Sequence, residues 1–158
     1  MLVIGFDPGS IRFGIGILKK ERGTISFVHS EEIGLQEDDF YLKMRTLWQR
    51  LVILYDEFPI KTAAIEEGFL GKNVSSMNTL AKVRGVVLAS LIARGIHLYS
   101  YSPSQIKQAL TGSGNAAKPQ VAKMVQTLLN IKTQTLGSDE SDALAVAYCH
   151  ALRSKIDP

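Results

Sequence analysis

The sequence opens with "LVIGFDPGS" at residues 2–10, where an apolar run ends in Asp7 and a Pro-Gly turn follows. The apolar run predicts a buried strand. A carboxylate at the end of such a strand needs a partner, because a buried unpaired carboxylate is costly. The rest of the sequence should therefore supply groups that meet Asp7.

Length and composition indicate one ordinary globular domain over residues 1–158. Apolar residues make up 46% of the chain and charged residues 21%, which is typical of a protein with a sizeable core. No apolar run approaches the ~20 residues of a membrane span, and no signal sequence is evident at the N-terminus. With Cys149 as its single cysteine, the chain is expected to be cytoplasmic and without membrane partners.

The charges are distributed unevenly along the chain. Residues 68–138 contain no Asp or Glu, although the net charge of the whole chain is only +3. The basic residues in this span are Lys72, Lys82, Arg84, Arg94, Lys107, Lys118, Lys123 and Lys132. A long segment with one sign of charge favours binding to a polyanion.

Apolar periodicity predicts an α/β domain. Strands are expected at 2–7, 11–18, 24–29, 61–66 and 96–100. Helices are expected from about Phe40 to Pro59, over 74–93, and in three segments after the last strand. This order predicts a central mixed sheet of about five strands with helices on both faces.

Four carboxylates fall where such a fold would gather them. Glu66 ends the fourth strand as Asp7 ends the first, so parallel pairing of these strands would place both at one sheet edge. Asp139 and Asp142 share one face of the last helix, where acids also favour the helix dipole. Glu67 and Glu140, beside these positions, are interpreted as ordinary solvated carboxylates.

A cluster of four carboxylates predicts bound cations, because mutual repulsion would otherwise raise several pKa values. Mg²⁺ prefers oxygen ligands, and two Mg²⁺ ions would stabilise the attacking and leaving oxygens of a phosphodiester hydrolysis. Mn²⁺ is expected to substitute for Mg²⁺. The basic span would attract the polyanionic substrate to this acidic centre.

Five segments, in order and spacing, resemble RuvC-type Holliday junction resolvases: "GFDPGSIRFGIGIL", "AIEEGFLGKN", "VRGVVL", "GSGNAAK" and "SDESDALAVA". The resemblance spans about residues 2–152. It implies a ribonuclease H-like fold, a homodimer, and symmetric paired nicking of four-way DNA junctions in recombination and repair. It also implies a branch-migration helicase of the RuvA and RuvB type as a partner.

The resemblance assigns roles to individual residues. It implies that Asp7, Glu66, Asp139 and Asp142 are catalytic metal ligands, although some relatives carry a His at the position of Asp139. Further residues are implied to bind DNA: Phe69 by stacking on a base, Lys107 and Lys118 near the scissile phosphate, and Lys72, Asn73 and Arg84 along the same groove.

Two alternatives of different classes remain open at this point. A non-catalytic junction-binding module would share the fold, and an RNA-processing nuclease would share both the fold and the carboxylates. The helix over 74–93 is the expected dimer contact, because its apolar residues spread wider than one core-facing stripe. Cleavage preference and the separate roles of Lys107 and Lys118 do not follow from the sequence.

Overall fold

Three antiparallel strands open the chain. The computed structural model describes residues 1–68, 74–131 and 135–154. The first three strands are β1 (Leu2–Pro8), β2 (Arg12–Glu21) and β3 (Thr24–Gly34). In the pairing of β1 with β2, Asp7 lies opposite Gly14, and Gly14 in turn lies opposite Glu32 of β3. β3 continues beyond its expected end at residue 29, because its later residues pair with the first half of β2.

Two parallel strands complete the sheet. β4 (Ile60–Glu66) pairs with β1, and β5 (His97–Tyr101) pairs with β4, which gives the order β3-β2-β1-β4-β5. Because Phe6 lies opposite Ile65 in the parallel pair, Asp7 and Glu66 follow at the same edge. The predicted mixed five-stranded sheet is therefore confirmed.

Helices cover both faces of the sheet. The helices are α1 (Phe40–Glu57), α2 (Val74–Ile92), α3 (Pro103–Thr111), α4 (Lys118–Leu128) and α5 (Ser138–Arg153). Alternate residues of β1 point to opposite faces, as a pleated strand requires. Ile4 and Phe6 pack with α1 and α2, whereas Val3 packs with α3, α4 and α5. Within the described ranges, no helix is long and apolar enough to cross a membrane.

Local signals in the sequence set several helix starts. Asp39 caps α1, its side chain accepting a hydrogen bond from the Leu42 N–H at 2.9 Å. Ser102 and Gln105 form a reciprocal capping box at α3, and Pro103 occupies the first turn. Such caps satisfy backbone N–H groups that have no partner within the helix.

The α5 helix lies directly on the backbone of β1 and β2. A Cβ added at Gly16 would lie 2.7 Å from the Leu144 nitrogen, and one added at Gly5 would collide with the backbone of Ala143. A Cβ at Gly14 would collide with the Asp139 carbonyl. The three glycines therefore form a seat for α5, which we call the glycine seat.

We expect Gly16→Ala to destabilise the protein, because the added methyl group would push α5 away from the sheet. Overpacking of this kind costs about 1–3 kcal/mol, measurable as a lower free energy of unfolding in urea. The matched control is Gly34→Ala on edge strand β3, where an added Cβ meets no atom within 4 Å. Equal losses from both variants would contradict the close-contact explanation.

Candidate active site

Carboxylates from β1 and α5 converge at the sheet edge. One side-chain oxygen each from Asp7, Asp139 and Asp142 lies within 4.8 Å of the others. Glu66, at the end of β4, lines the same cleft as all three. The four acids predicted from the sequence lie on three separate segments, and the structure brings them together.

The start of α5 is fixed to the sheet by Glu140. Its Oε2 accepts a hydrogen bond from the Gly137 N–H at 2.8 Å, and its Oε1 accepts one from the Ser30 hydroxyl at 2.9 Å. The interpretation of Glu140 as a solvated carboxylate is therefore wrong: it caps α5 and ties the helix to β3. Glu67, by contrast, is exposed.

The carboxylates perturb one another. Burial, together with the negative charges of Asp142, Asp139 and Glu66, raises the pKa of Asp7 from 3.8 to about 7. Burial and the charge of Asp142 also raise the pKa of Glu66. Repulsion of this kind is relieved by protonation or by a bound cation.

Lysines border the cleft on the side of α3 and α4. The Lys118 ammonium lies 2.6 Å from Asp142 Oδ2, and the hydrogen bond with Asp142 raises the pKa of Lys118. Lys107 lines the same cavity of about 410 Å³ as Lys118 and the four carboxylates. We call this cavity the lysine groove. Its mixture of acidic and cationic side chains suits a bound metal next to a phosphate.

Arg84 approaches the carboxylates from α2. Its Nη1 donates a hydrogen bond to the backbone carbonyl of Glu66 at 2.7 Å. Arg84 also lines a second cavity of about 330 Å³ that opens onto Asp7 and Glu66. We call it the α2 pocket; its walls on the helix side are Met77, Leu80, Ala81 and Arg84. Arg84 therefore lines the cleft while one of its N–H groups is hydrogen-bonded to the backbone of β4.

The remaining predicted DNA-binding residues, Phe69, Lys72 and Asn73, lie outside the described residues.

Sequence reasoning missed Glu32. Desolvation beside Asp139 and a hydrogen bond shared with it raise the pKa of Glu32. Arg12 Nε lies 3.6 Å from Glu32 Oε1. The residue reaches Asp139 because β3 extends to Gly34 and places Glu32 opposite Gly14. This extension is hard to predict from the sequence, because "SEEIG" at residues 30–34 does not alternate clearly between apolar and polar residues.

The chemistry of the donor set fits a divalent metal. All the clustered ligands offer oxygen atoms, which hard cations such as Mg²⁺ prefer. The raised pKa of Asp7 reflects its burial and the repulsion by the neighbouring carboxylates, and a bound cation would offset both. Within the part of the chain that the structure describes, Asp7, Asp139 and Asp142 lie close enough together to hold such an ion.

Comparisons with known proteins point to one family. The family described as "Crossover junction endodeoxyribonuclease RuvC" matches residues 3–150. The RuvC protein of Christiangramia forsetii is 39% identical over 154 residues, covering 97% of this chain and 80% of the relative.

Solved structures share the fold over nearly the whole chain. The Thermus thermophilus RuvC structure superposes with a TM-score of 0.86 at 31% identity, covering 96% of this chain and 94% of that one. A chain of T. thermophilus RuvC in complex with Holliday junction substrate gives 0.86 at 28% identity, with the same coverage. This likeness confirms the expected ribonuclease H-like architecture.

We expect the metal-free protein to lose stability as pH rises from about 4 to 7. Because the pKa of Asp7 is raised above 3.8 in the folded chain, the folded state binds more protons than the unfolded state across this window. Deprotonation therefore favours unfolding. Replacing Asp7 by Asn should raise the unfolding temperature in EDTA at pH 8 by about 2–4 °C, equivalent to ~1 kcal/mol.

The control for this measurement is Asp38→Asn, the same substitution at an exposed site outside the cleft. It should leave both the unfolding temperature and its pH dependence unchanged. A wild-type unfolding temperature in EDTA that does not fall between pH 5 and 8 would contradict a raised pKa at Asp7.

Proposed function

This chain belongs to the RuvC family of crossover junction endodeoxyribonucleases, and from this we propose that Asp7, Glu66, Asp139 and Asp142 are the catalytic carboxylates of its activity. That activity is the resolution of Holliday junctions in DNA recombination and repair, which includes binding of the junction DNA. The observation that carries the residue assignment is the convergence of three carboxylates within 4.8 Å in a groove bordered by Lys107 and Lys118.

The four carboxylates would hold two Mg²⁺ ions, and Mn²⁺ would replace them. When bound, such ions stabilise the attacking and leaving oxygens in the hydrolysis of a phosphodiester bond. Water would attack the phosphorus atom and lose a proton, while the bond to the 3′ oxygen breaks and that oxygen takes up a proton to leave as a 3′ hydroxyl. Asp7 is central to this arrangement because its oxygen lies within reach of both acids of α5.

Lys118 and Lys107 would receive the scissile strand. Lys118 already lies in the groove with its ammonium on Asp142, from where it can turn to a phosphate oxygen. A positive charge at this place either stabilises charge in the transition state or holds the backbone in register. Arg84 would add positive charge beside Glu66, and Lys72 and Asn73 would extend the same path.

Phe69 would stack on a base beside the opened junction centre. This assignment depends on the family resemblance and on the place of Phe69 in the sequence, three residues after Glu66. An apolar wedge of this kind unstacks bases in other proteins that distort DNA.

Two copies of the chain would act together, since symmetric nicking requires two active sites. The exposed apolar side chains of α2 support a contact through this helix: 46% of the Leu88 surface and 68% of the Ile92 surface are accessible. These residues are four apart and therefore share one face. Residues 1–158 would function as a single nuclease domain in the cytoplasm, together with a branch-migration helicase of the RuvA and RuvB type.

We expect Asp7→Asn to abolish cleavage while leaving junction binding intact. Nicks would be mapped on an immobile synthetic four-way junction in Mg²⁺, and affinity measured in Ca²⁺ with linear duplex as competitor. Abolished cleavage means a loss of more than about a hundredfold, because metal polarisation is worth several kcal/mol. Asp38→Asn, in which the amide lies outside the groove, should behave as wild type.

Parallel loss of binding and cleavage in Asp7→Asn would contradict its assignment as a metal ligand. Junction binding without nicks by the wild-type protein in any divalent metal would favour the non-catalytic alternative. Preferential cleavage of an RNA substrate would favour the RNA-processing alternative.

We expect the double substitution Leu88→Glu/Ile92→Glu to convert the dimer to monomers. Burial of an aliphatic side chain is worth about 1.5–3 kcal/mol, so the dissociation constant from sedimentation should rise by at least about tenfold. Leu152→Glu provides the control, because Leu152 of α5 is exposed to a similar extent, 48%. An unchanged dimer in the double variant would place the contact elsewhere.

A further inference from the structure

The α2 pocket lies on the opposite side of Asp7 and Glu66 from the lysines. Asp7 and Glu66 line both cavities. A phosphate held at these two carboxylates would therefore have one cavity on each side. The lysine groove offers positive charges for the DNA backbone. The α2 pocket has a different chemistry, and the proposed catalytic steps leave its apolar residues Met77, Leu80 and Ala81 without a role.

Its helix-side wall is regular and consists of three apolar residues and one arginine. Met77, Leu80, Ala81 and Arg84 are spaced three and four apart, and therefore form one face of α2. Met77 and Leu80 are partly buried although they face the cavity. Their thioether and methyl groups present a surface suited to the face of a planar ring.

Arg84 gives the pocket a fixed polar edge. Its Nη1 donates to the Glu66 carbonyl at 2.7 Å, and a Cβ added at Gly68 would lie 3.6 Å from the same nitrogen. The guanidinium is thus held in place by the backbone at the end of β4. Because a guanidinium has five N–H donors, others remain to bond an acceptor on a ligand.

We infer that the α2 pocket binds the unstacked nucleobase of a nucleotide flanking the scissile phosphate. The volume of about 330 Å³ is at the lower end of small-molecule sites, about 300–1,000 Å³, as expected for one heterocycle rather than a base pair. The apolar wall receives the base face, and Arg84 donates to acceptors on its edge. The inference rests on the proposed function, because the DNA strand delivers the base.

Binding a base here has a consequence for cleavage. Extruding a base costs unstacking energy, which contacts in the α2 pocket offset only when the phosphate also lies at Asp7 and Glu66. A base that fits the pocket therefore favours placement of the reacting phosphate at Asp7 and Glu66, and a missing or poorly fitting base does not. It would act on the rate of cleavage more than on the affinity for the junction.

The test uses junctions that lack one base. An abasic analogue is placed immediately 5′ or immediately 3′ of the scissile phosphate, and single-turnover cleavage by the full chain is measured in Mg²⁺. At one of the two positions the rate should fall about tenfold, the scale of a single stacked base. Junction affinity in Ca²⁺ should be unchanged.

Ala81→Leu fills the pocket from an exposed position. It should slow cleavage of the intact junction about tenfold but cause no further loss on the abasic junction, since both changes remove one interaction. Ala93→Leu, an equivalent exposed substitution beyond α2, should leave both rates unchanged. Unfolding temperature and Ca²⁺-dependent binding of Ala81→Leu check that the variant is folded.

A readout without cleavage uses 2-aminopurine at the sensitive position. In Ca²⁺ its fluorescence with the wild-type protein should differ from that of the stacked base, and Ala81→Leu should restore the stacked signal. Equal cleavage of intact and abasic junctions on both flanks would overturn the inference, as would equal slowing of both by Ala81→Leu. Failure of the proposed function is distinguishable, because cleavage would then survive Asp7→Asn.

Discussion

The close approach of α5 to the sheet is the constraint on which the site depends. Asp139 and Asp142 reach Asp7 only because the α5 backbone lies directly on the glycine seat formed by Gly5, Gly14 and Gly16. Gly14 has a double role, since it pairs with Asp7 in the sheet and its missing side chain makes room for the Asp139 carbonyl. Any larger residue there would separate the two halves of the carboxylate cluster.

This arrangement places like charges together at a cost to the folded chain. Burial and repulsion raise the pKa of Asp7 to about 7, whereas Lys118 offsets part of the negative charge through its contact with Asp142. Structures that concentrate charge in this way are typical of catalytic sites. The rest of the fold, two packed helical layers on a five-stranded sheet, supplies the stability against which this repulsion acts.

Backbone anchoring connects the site to both helical layers. Glu140 ties the start of α5 to Ser30 of β3, and Arg84 of α2 holds the carbonyl of Glu66 at the end of β4. Each bond fixes an element that carries a carboxylate, rather than the carboxylate itself. Geometry at the site is therefore determined by rigid elements, which positions catalytic groups more accurately than mobile loops.

Much of this protein was determined by the sequence alone. The apolar run before Asp7, the parallel placement of Glu66, and the three-residue spacing of Asp139 and Asp142 predicted one acidic edge, because strand and helix periods are local properties. The sheet of five strands and the capped helices followed from the same local signals.

The tertiary structure decided what depends on register and on packing between distant segments. The length of β3 brought Glu32 to Asp139, and the α2–β4 contact turned Arg84 toward the Glu66 carbonyl. The α2 pocket likewise requires residues from β1, β4 and α2. A sequence pattern indicates on which face of its own helix or strand a residue lies. Only the packed chain determines which residues of other elements that face contacts.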